Sequence, residues 1–223
     1  MVTARKDMAE TATSRSNVYG LLATVFRAEP SAAFLAHLGS TDVADAFGSL
    51  DLSLGVDDRE SSSEDLAVEY TRLFIGPGPH VSPHESVNIE GQDALEAALW
   101  GPQTVKVKKF IEAAGLEFDA SFTGMPDHVS AELEFMQRLA AREAEAWSAP
   151  NEELAANIQR IQERFLDEHL SRWAPRFCER VIEMSEHAFY RVFSELTKDF
   201  VEYDRNNLQI YIAEIGNKEC KSH

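Results

Sequence analysis

Apolar residues along most of this chain recur three and four positions apart rather than on alternate positions. Val18, Leu21, Leu22, Val25 and Phe26 form one such stripe, the signature of an amphipathic helix. Pro30 ends it, and Ser31 can cap a short successor through Leu38. Residues 40–60 are looser and acidic, with Gly48 and Gly55 as breakers. Ser61 and Glu64 then form a capping-box pattern ahead of Leu66, Tyr70, Leu73 and Phe74. A short helix is expected over Asp93–Trp100, closed by Gly101, and Pro102 suits the first turn of the next, which runs to about Ala114 and stops at Gly115. Pro126 opens a long helix through Trp147, and Asn151 opens another. From Pro175 an apolar spacing continues through Val181, Ile182, Phe189, Val192, Phe193, Leu196 and Phe200. Ile210–Ile215 fits a short strand, but one strand makes no sheet. The pattern predicts an all-α protein.

Composition narrows this little. A chain of 223 residues suits one domain, or two closely packed halves, and 44% hydrophobic residues are enough for a core. The first 17 residues lack an apolar h-region, so no secretory signal is expected, and no window supplies the run of about 18 apolar residues that a membrane span needs. The two cysteines, Cys178 and Cys220, lie far apart, which argues against a disulfide scaffold or a structural zinc and agrees with a reducing cytoplasm. Cys178 reads as a buried small hydrophobe and Cys220 as exposed. Charge is more informative. With 21 basic against 38 acidic residues the formal charge is −17, which excludes nucleic acid as a partner class. It admits a cationic partner, although an acidic surface kept for solubility is the commoner reading.

Two places depart from the helical pattern. The first, Leu73–Val87 (LFIGPGPHVSPHESV), packs two glycines, three prolines and two histidines between helices. His84-Glu85 begins like a zinc HExxH, but Asn88 stands where the second histidine belongs, and Pro79 and Pro83 prevent His80 and His84 from sharing one helix. Gly76-Pro77-Gly78 follows a helix rather than a strand, and its prolines remove the N–H groups that cradle a phosphate. Ser86 lies beside histidines but in no nucleophile elbow, so no enzyme is expected. What remains is a backbone device. Gly76 ends the preceding helix in a left-handed cap, Pro77 stops its continuation, and Gly78, Pro79 and Pro83 hold an extended path between helices. Such a segment is either one wall of a binding groove or a structural connection. The second place is Met125-Pro126-Asp127-His128, where His128 and Glu132 lie four apart and can share a face on which the carboxylate would raise the imidazole's basicity.

Four blocks occur in order: YTRLFIGPGP (Tyr70–Pro79), PHESV (Pro83–Val87), MPDHVSAELEFM (Met125–Met136) and FLDEHLSRWAPRF (Phe165–Phe177). Together they resemble the TorD/DmsD family of redox-enzyme maturation chaperones. The resemblance implies an all-helical, bundle-like cytoplasmic chaperone in two packed halves, with no catalytic site, cofactor or metal of its own. It would bind the twin-arginine signal peptide and apo catalytic subunit of a molybdopterin-dependent oxidoreductase, and hold that subunit from export until the cofactor is inserted. Peptide recognition in the family is associated with positions that are here Leu73, Phe74, Gly76 and Pro77, and Pro126, Asp127 and His128. Asp127, Glu132 and Glu85 are then candidate partners for the two arginines, Tyr70, Leu73, Phe74 and Val87 candidate groove lining, and Ser86 belongs to the same block. The role of His84 stays open, and His128 has two readings, a pH-tuned release group or a cap. Some relatives exchange halves between chains, so the single domain over residues 1–223 carries a possible hinge at 115–125, and a monomer with a minor swapped dimer is expected. Three other readings are an assembly chaperone for a nitrate-reductase-like subunit without a twin-arginine leader, a helical adaptor with an unrelated peptide partner, and a nucleotide-hydrolysing enzyme, which the missing phosphate loop makes weak.

Overall fold

The computed structural model describes residues 2–38, 40, 62–89, 101–116 and 124–220. Among these, α1 spans Val2–Arg27, α2 Ala32–Leu38, α3 Ser63–Phe74, α4 (a single turn) Glu85–Asn88 and α5 Pro102–Ala113. α6 spans Val129–Ser148 and α7 Glu152–Phe165; a π-helical turn, Leu166–Leu170, leads into α8, Ser171–Met184, and α9 runs Ala188–Cys220. No strand is present among the described residues, and His84 and His128 form an isolated antiparallel bridge. The expected short helix at Asp93–Trp100 and the loose segment 41–60 lie outside the described residues, as do residues 117–123 of the expected hinge.

Local signals place most helix ends. Asn151 accepts from Leu154 N as the N-cap of α7, Pro102 occupies the first turn of α5, and Gly115 follows it at φ +70°. The capping box ahead of α3 is real but one residue later than expected: Ser62 Oγ accepts from Asp65 N, while Asp65 Oδ2 accepts from Ser62 N. Other elements correct the pattern. α1 begins at Val2 rather than near Val18, and Ile210–Ile215 is helix within α9, not strand. The apolar spacing read from Pro175 onward is divided between α8, which contains Pro175, and α9. Proline has no N–H, so at Pro175 the bond to Ser171 O is forgone, one turn after the π-helical stretch Leu166–Leu170.

The most extensive helix pairing among the described residues is α1 against α6. Small residues permit it: a Cβ at Gly20 would stand 2.5 Å from Gln137 Nε2, and Ser16 Oγ donates to Gln137 O at 3.1 Å. A buried ionic network then ties α1 to α6, α7 and α9, with Arg15 donating to Glu143, Gln162 and Asp204, and Tyr19 Oη to Asp204 Oδ2. One cluster of buried residues runs from Tyr19 to Leu208 and draws on both halves of the chain. At its centre Phe26 meets Phe74 and Phe177 edge-on at centroid distances of 6.2 and 5.6 Å. Cys178 is fully buried there, and burial holds its thiol well above the ordinary range. No described helix is long and apolar enough to cross a membrane.

Candidate functional site

The two irregular stretches meet. At the end of α3, Ile75 N and Gly76 N both donate to Thr71 O, at 3.0 and 2.7 Å. Gly76 does not take a positive φ, so the expected left-handed cap is replaced by a close approach: a Cβ there would lie 3.2 Å from Thr71 O. The chain turns back as Val81 N donates to Leu73 O at 2.7 Å and runs on through Pro83 to α4. There it pairs with the segment entering α6, Glu85 N donating to Asp127 O at 2.9 Å and Val129 N to Pro83 O at 2.8 Å. Asn88 Nδ2 holds the turn by donating to the carbonyls of Ser82 and His84. Residues 75–89 are thus a strap fastened across the N-terminus of α6.

Asp127 and His128 fasten it from the other side. Asp127 Oδ2 accepts from Ser86 N at 3.1 Å, so the aspartate caps the one-turn helix α4, and α6 itself begins three residues after Pro126. His128 is the N-cap of α6: its Nδ1 accepts from Ser130 N at 3.1 Å, which only an unprotonated Nδ1 can do. Its ring meets that of His84 edge-on, 5.0 Å between centroids. Burial, then His84, then Arg27 depress its pKa to about 3. The expectation that Glu132 raises the basicity of His128 is therefore corrected; Glu132 faces elsewhere, accepting from Trp173 Nε1 at 3.1 Å.

Glu85, Asp127 and Glu132 are all fully buried. Glu85 accepts from Gln103 Nε2 at 2.8 Å and lies 3.0 and 3.2 Å from His169 Nδ1. Burial above all, and then the neighbouring Glu85, hold the Glu132 carboxyl well above the usual range, because two carboxylates side by side in a dry interior cannot both ionise. Read from sequence as arginine partners on a groove wall, these three groups are interior groups here, engaged with backbone, Gln103, His169 and Trp173. Tyr70, Leu73, Phe74, Ser86 and Pro126 are likewise buried. Of the singled-out residues Pro77 and Val87 are exposed, while Gly76 and His128 are half-buried. Around them Ile75 and the tip Gly78–His80 are also exposed. Among the described residues no group of three or more His, Cys, Asp or Glu side chains is placed to hold a metal.

Gln103, His169 and Trp173 were not anticipated as members of this cluster. The fourth sequence block supplies two of them: Phe165, His169, Trp173 and Phe177 follow one another at intervals of four, and all are buried. A histidine and an indole on an otherwise apolar face were the available signal, since each brings an N–H that must find an acceptor.

A sequence profile described as the nitrate reductase delta subunit matches residues 37–179, which take in all four blocks. Chaperone protein TorD of Vibrio cholerae is 24% identical over 161 residues, covering 70% of this chain and 68% of the relative. TorD of Aliivibrio salmonicida is 25% identical over 176 residues, covering 77% and 78%. The chain belongs to the TorD/DmsD family of redox-enzyme maturation chaperones. The Tat proofreading chaperone DmsD of Salmonella typhi, 30% identical over 138 residues, covers 61% of this chain and 59% of the relative. Among solved structures, a chain assigned as a redox enzyme maturation protein from Archaeoglobus fulgidus has the same helical fold, with a TM-score of 0.55 at 24% identity over 84% of this chain and 93% of that one. The named relatives in the TorD/DmsD family are chaperones, not enzymes.

Proposed function

We propose that this chain is a cytoplasmic chaperone that binds the twin-arginine signal peptide and the apo catalytic subunit of a molybdopterin-dependent oxidoreductase, and delays export until the cofactor is inserted. The observation that carries the reading is membership of a family that includes a Tat proofreading chaperone. The site divides by exposure. Ile75, Pro77 and Val87 offer apolar contact to the leader's hydrophobic stretch. Tyr70, Leu73, Phe74, Gly76, Glu85, Ser86, Pro126, Asp127, His128 and Glu132 shape and hold the strap that presents them. The arginines are drawn by the net charge of −17, which speeds encounter with a basic segment. Residues 1–223 act as one domain, with 115–125 as the hinge of a minor swapped dimer.

Titration of a fluorescent twin-arginine leader tests this. Ile75→Asp and Val87→Asp are expected to weaken binding at least about tenfold, because a charge enters an apolar contact. Ile210→Asp, intermediate in exposure between Ile75 and Val87 but on α9, is expected to leave it unchanged. Equal affinities for all three variants would refute the site. The profile's description also favours a second reading, in which the client is a nitrate-reductase-like subunit without a twin-arginine leader. Mass spectrometry of the co-purified catalytic subunit decides between them by the presence or absence of that leader.

A further inference from the structure

Three carboxyl groups meet where the strap is fastened. Glu85 comes from α4, Asp127 from the turn ahead of α6 and Glu132 from the first turn of α6, and all three are fully buried. Among the described residues no arginine or lysine donates to any of them; their partners are Gln103 of α5, Trp173 of α8, the Ser86 N–H and His169 of the π turn. The other titratable groups nearby are His84, beside Asp127, and its neighbour His128; burial holds both imidazoles below the ordinary range, so neither brings a positive charge at neutral pH. Donors are shared unevenly. Gln103 Nε2 lies 2.8 Å from Glu85 Oε1, and His169 Nδ1 lies 3.2 and 3.0 Å from Oε1 and Oε2, so both Glu85 oxygens are served. Glu132 receives one N–H, from Trp173 on Oε2, while its Oε1 is buried and meets no donor. The Glu132 and Glu85 carboxyls are close enough to share a hydrogen bond, which needs a proton between them.

We infer that Glu132 stands in the fold as a neutral carboxylic acid sharing its proton with Glu85, and that this proton locks the strap onto α6. It turns a repulsion between two buried carboxylates into a hydrogen bond, at the oxygen left without a donor. Burial and then Glu85 act in that direction, and they outweigh the positive end of α6, which favours the ionised form. Glu85 N and Ser86 N, both bonded to Asp127, fasten the strap directly beside this pair. When the strap lifts, Glu132 meets water and gives up its proton at an ordinary glutamate pKa of about 4.3. Above that pH the fastened state holds one proton more than the open state. Opening therefore becomes easier as pH rises, by up to about tenfold per pH unit, until Glu132 ionises in the fastened state as well. His84 and His128 act in the opposite sense and only below about pH 6.5, so the lock is read without them from about pH 7 upward. The strap carries Ile75, Pro77 and Val87, so the lock sets how firmly those exposed side chains are held, whatever partner they meet.

Hydrogen–deuterium exchange of the full chain between about pH 7 and about pH 9, corrected for the intrinsic pH dependence of amide exchange, tests the lock. The amides of Glu85, Ser86 and Val129, which fasten the strap, are expected to lose protection as pH rises, by up to about tenfold per unit, while amides in the middle of α6 keep theirs. In Glu132→Gln the side-chain amide donates where the acid does and never ionises, so protection of the strap is expected to be the same at every pH. Carbon-13 NMR of the glutamate carboxyl groups reads the proton in the parent chain itself, so a variant that does not fold leaves the inference refutable. One carboxyl signal is expected to keep the position of a protonated acid at about pH 7, where an unperturbed glutamate is ionised. Ionised signals alone, strap protection in the parent that does not change with pH, or the same pH dependence in Glu132→Gln would each overturn the inference. A loss of protection that spreads equally through α6 would overturn it too, since the strap would not be the element released.

Discussion

Replacing Glu85 separates a residue that holds the strap from one that touches a peptide. Glu85→Ala strands two buried partners, Gln103 Nε2 and His169 Nδ1. An unsatisfied buried polar group costs about 1–3 kcal/mol, so the two together cost roughly 2–6 kcal/mol. One gain offsets part of this: Glu132 loses the neighbour that, after burial itself, does most to hold its proton on. The expected net loss is about 3 kcal/mol, a large share of the ~5–15 kcal/mol of a typical domain. Glu85→Gln keeps the shape, one acceptor and the relief of repulsion, and is expected to lose only about 1 kcal/mol. Urea unfolding at neutral pH measures both, with an unchanged m-value showing that the two states compared are the same. Glu132→Ala combined with Glu85→Ala is expected to cost less than the sum of the single changes, since the two carboxyls interact. Single variants within about 0.5 kcal/mol of the parent would refute the reasoning, because that is the range of surface substitutions. Should Glu85→Gln instead keep parental stability and lose leader binding, Glu85 would be a peptide contact.

Three further outcomes are expected. The His128 ring stays neutral in the folded state down to about pH 3, whereas the unfolded ring takes a proton near its ordinary pKa of about 6.5. The unfolded state therefore binds more protons between those values, and stability falls as pH drops from about 6.5 toward 3. His128→Asn, which keeps a capping acceptor, should lose less stability than the parent between neutral pH and pH about 4.5, and parallel curves would refute the assignment. Arg15→Met leaves Glu143 and Asp204 as buried charges and should cost about 3–5 kcal/mol, against at most about 1 kcal/mol for Arg27→Met, whose side chain is largely in solvent; denaturant midpoints compare them. Gly76→Ala pushes a methyl toward Thr71 O and should cost about 1 kcal/mol, while Gly78→Ala, with nothing within 4 Å, should be nearly neutral by thermal melting.

The helical class, the ends at Gly101-Pro102, Gly115 and Asn151, and the special character of residues 73–88 and 125–132 were all legible in the sequence. Each is a local property: a helix and its caps are set by residues three or four positions apart, and a proline or glycine acts where it stands. Which way the polar groups face is not local. A carboxylate at Glu85 or Glu132 reads the same whether it points at solvent or at the interior; its burial is decided by His169, 84 residues from Glu85, and by Trp173, 41 residues from Glu132. The early start of α1 has the same origin, since residues 2–17 carry no strong apolar stripe and Arg15 is held by Glu143, Gln162 and Asp204. The helical state of Ile210–Ile215 was likewise obscured, because a short apolar run suits either strand or helix until the long α9 that contains it is seen. The sequence by itself determined the elements and the motifs. Only the tertiary structure decided that three of those motifs close on one another as a buried polar latch, leaving their edges to the surface, because the desolvation that makes such a latch stable or costly exists only once the chain has folded around it.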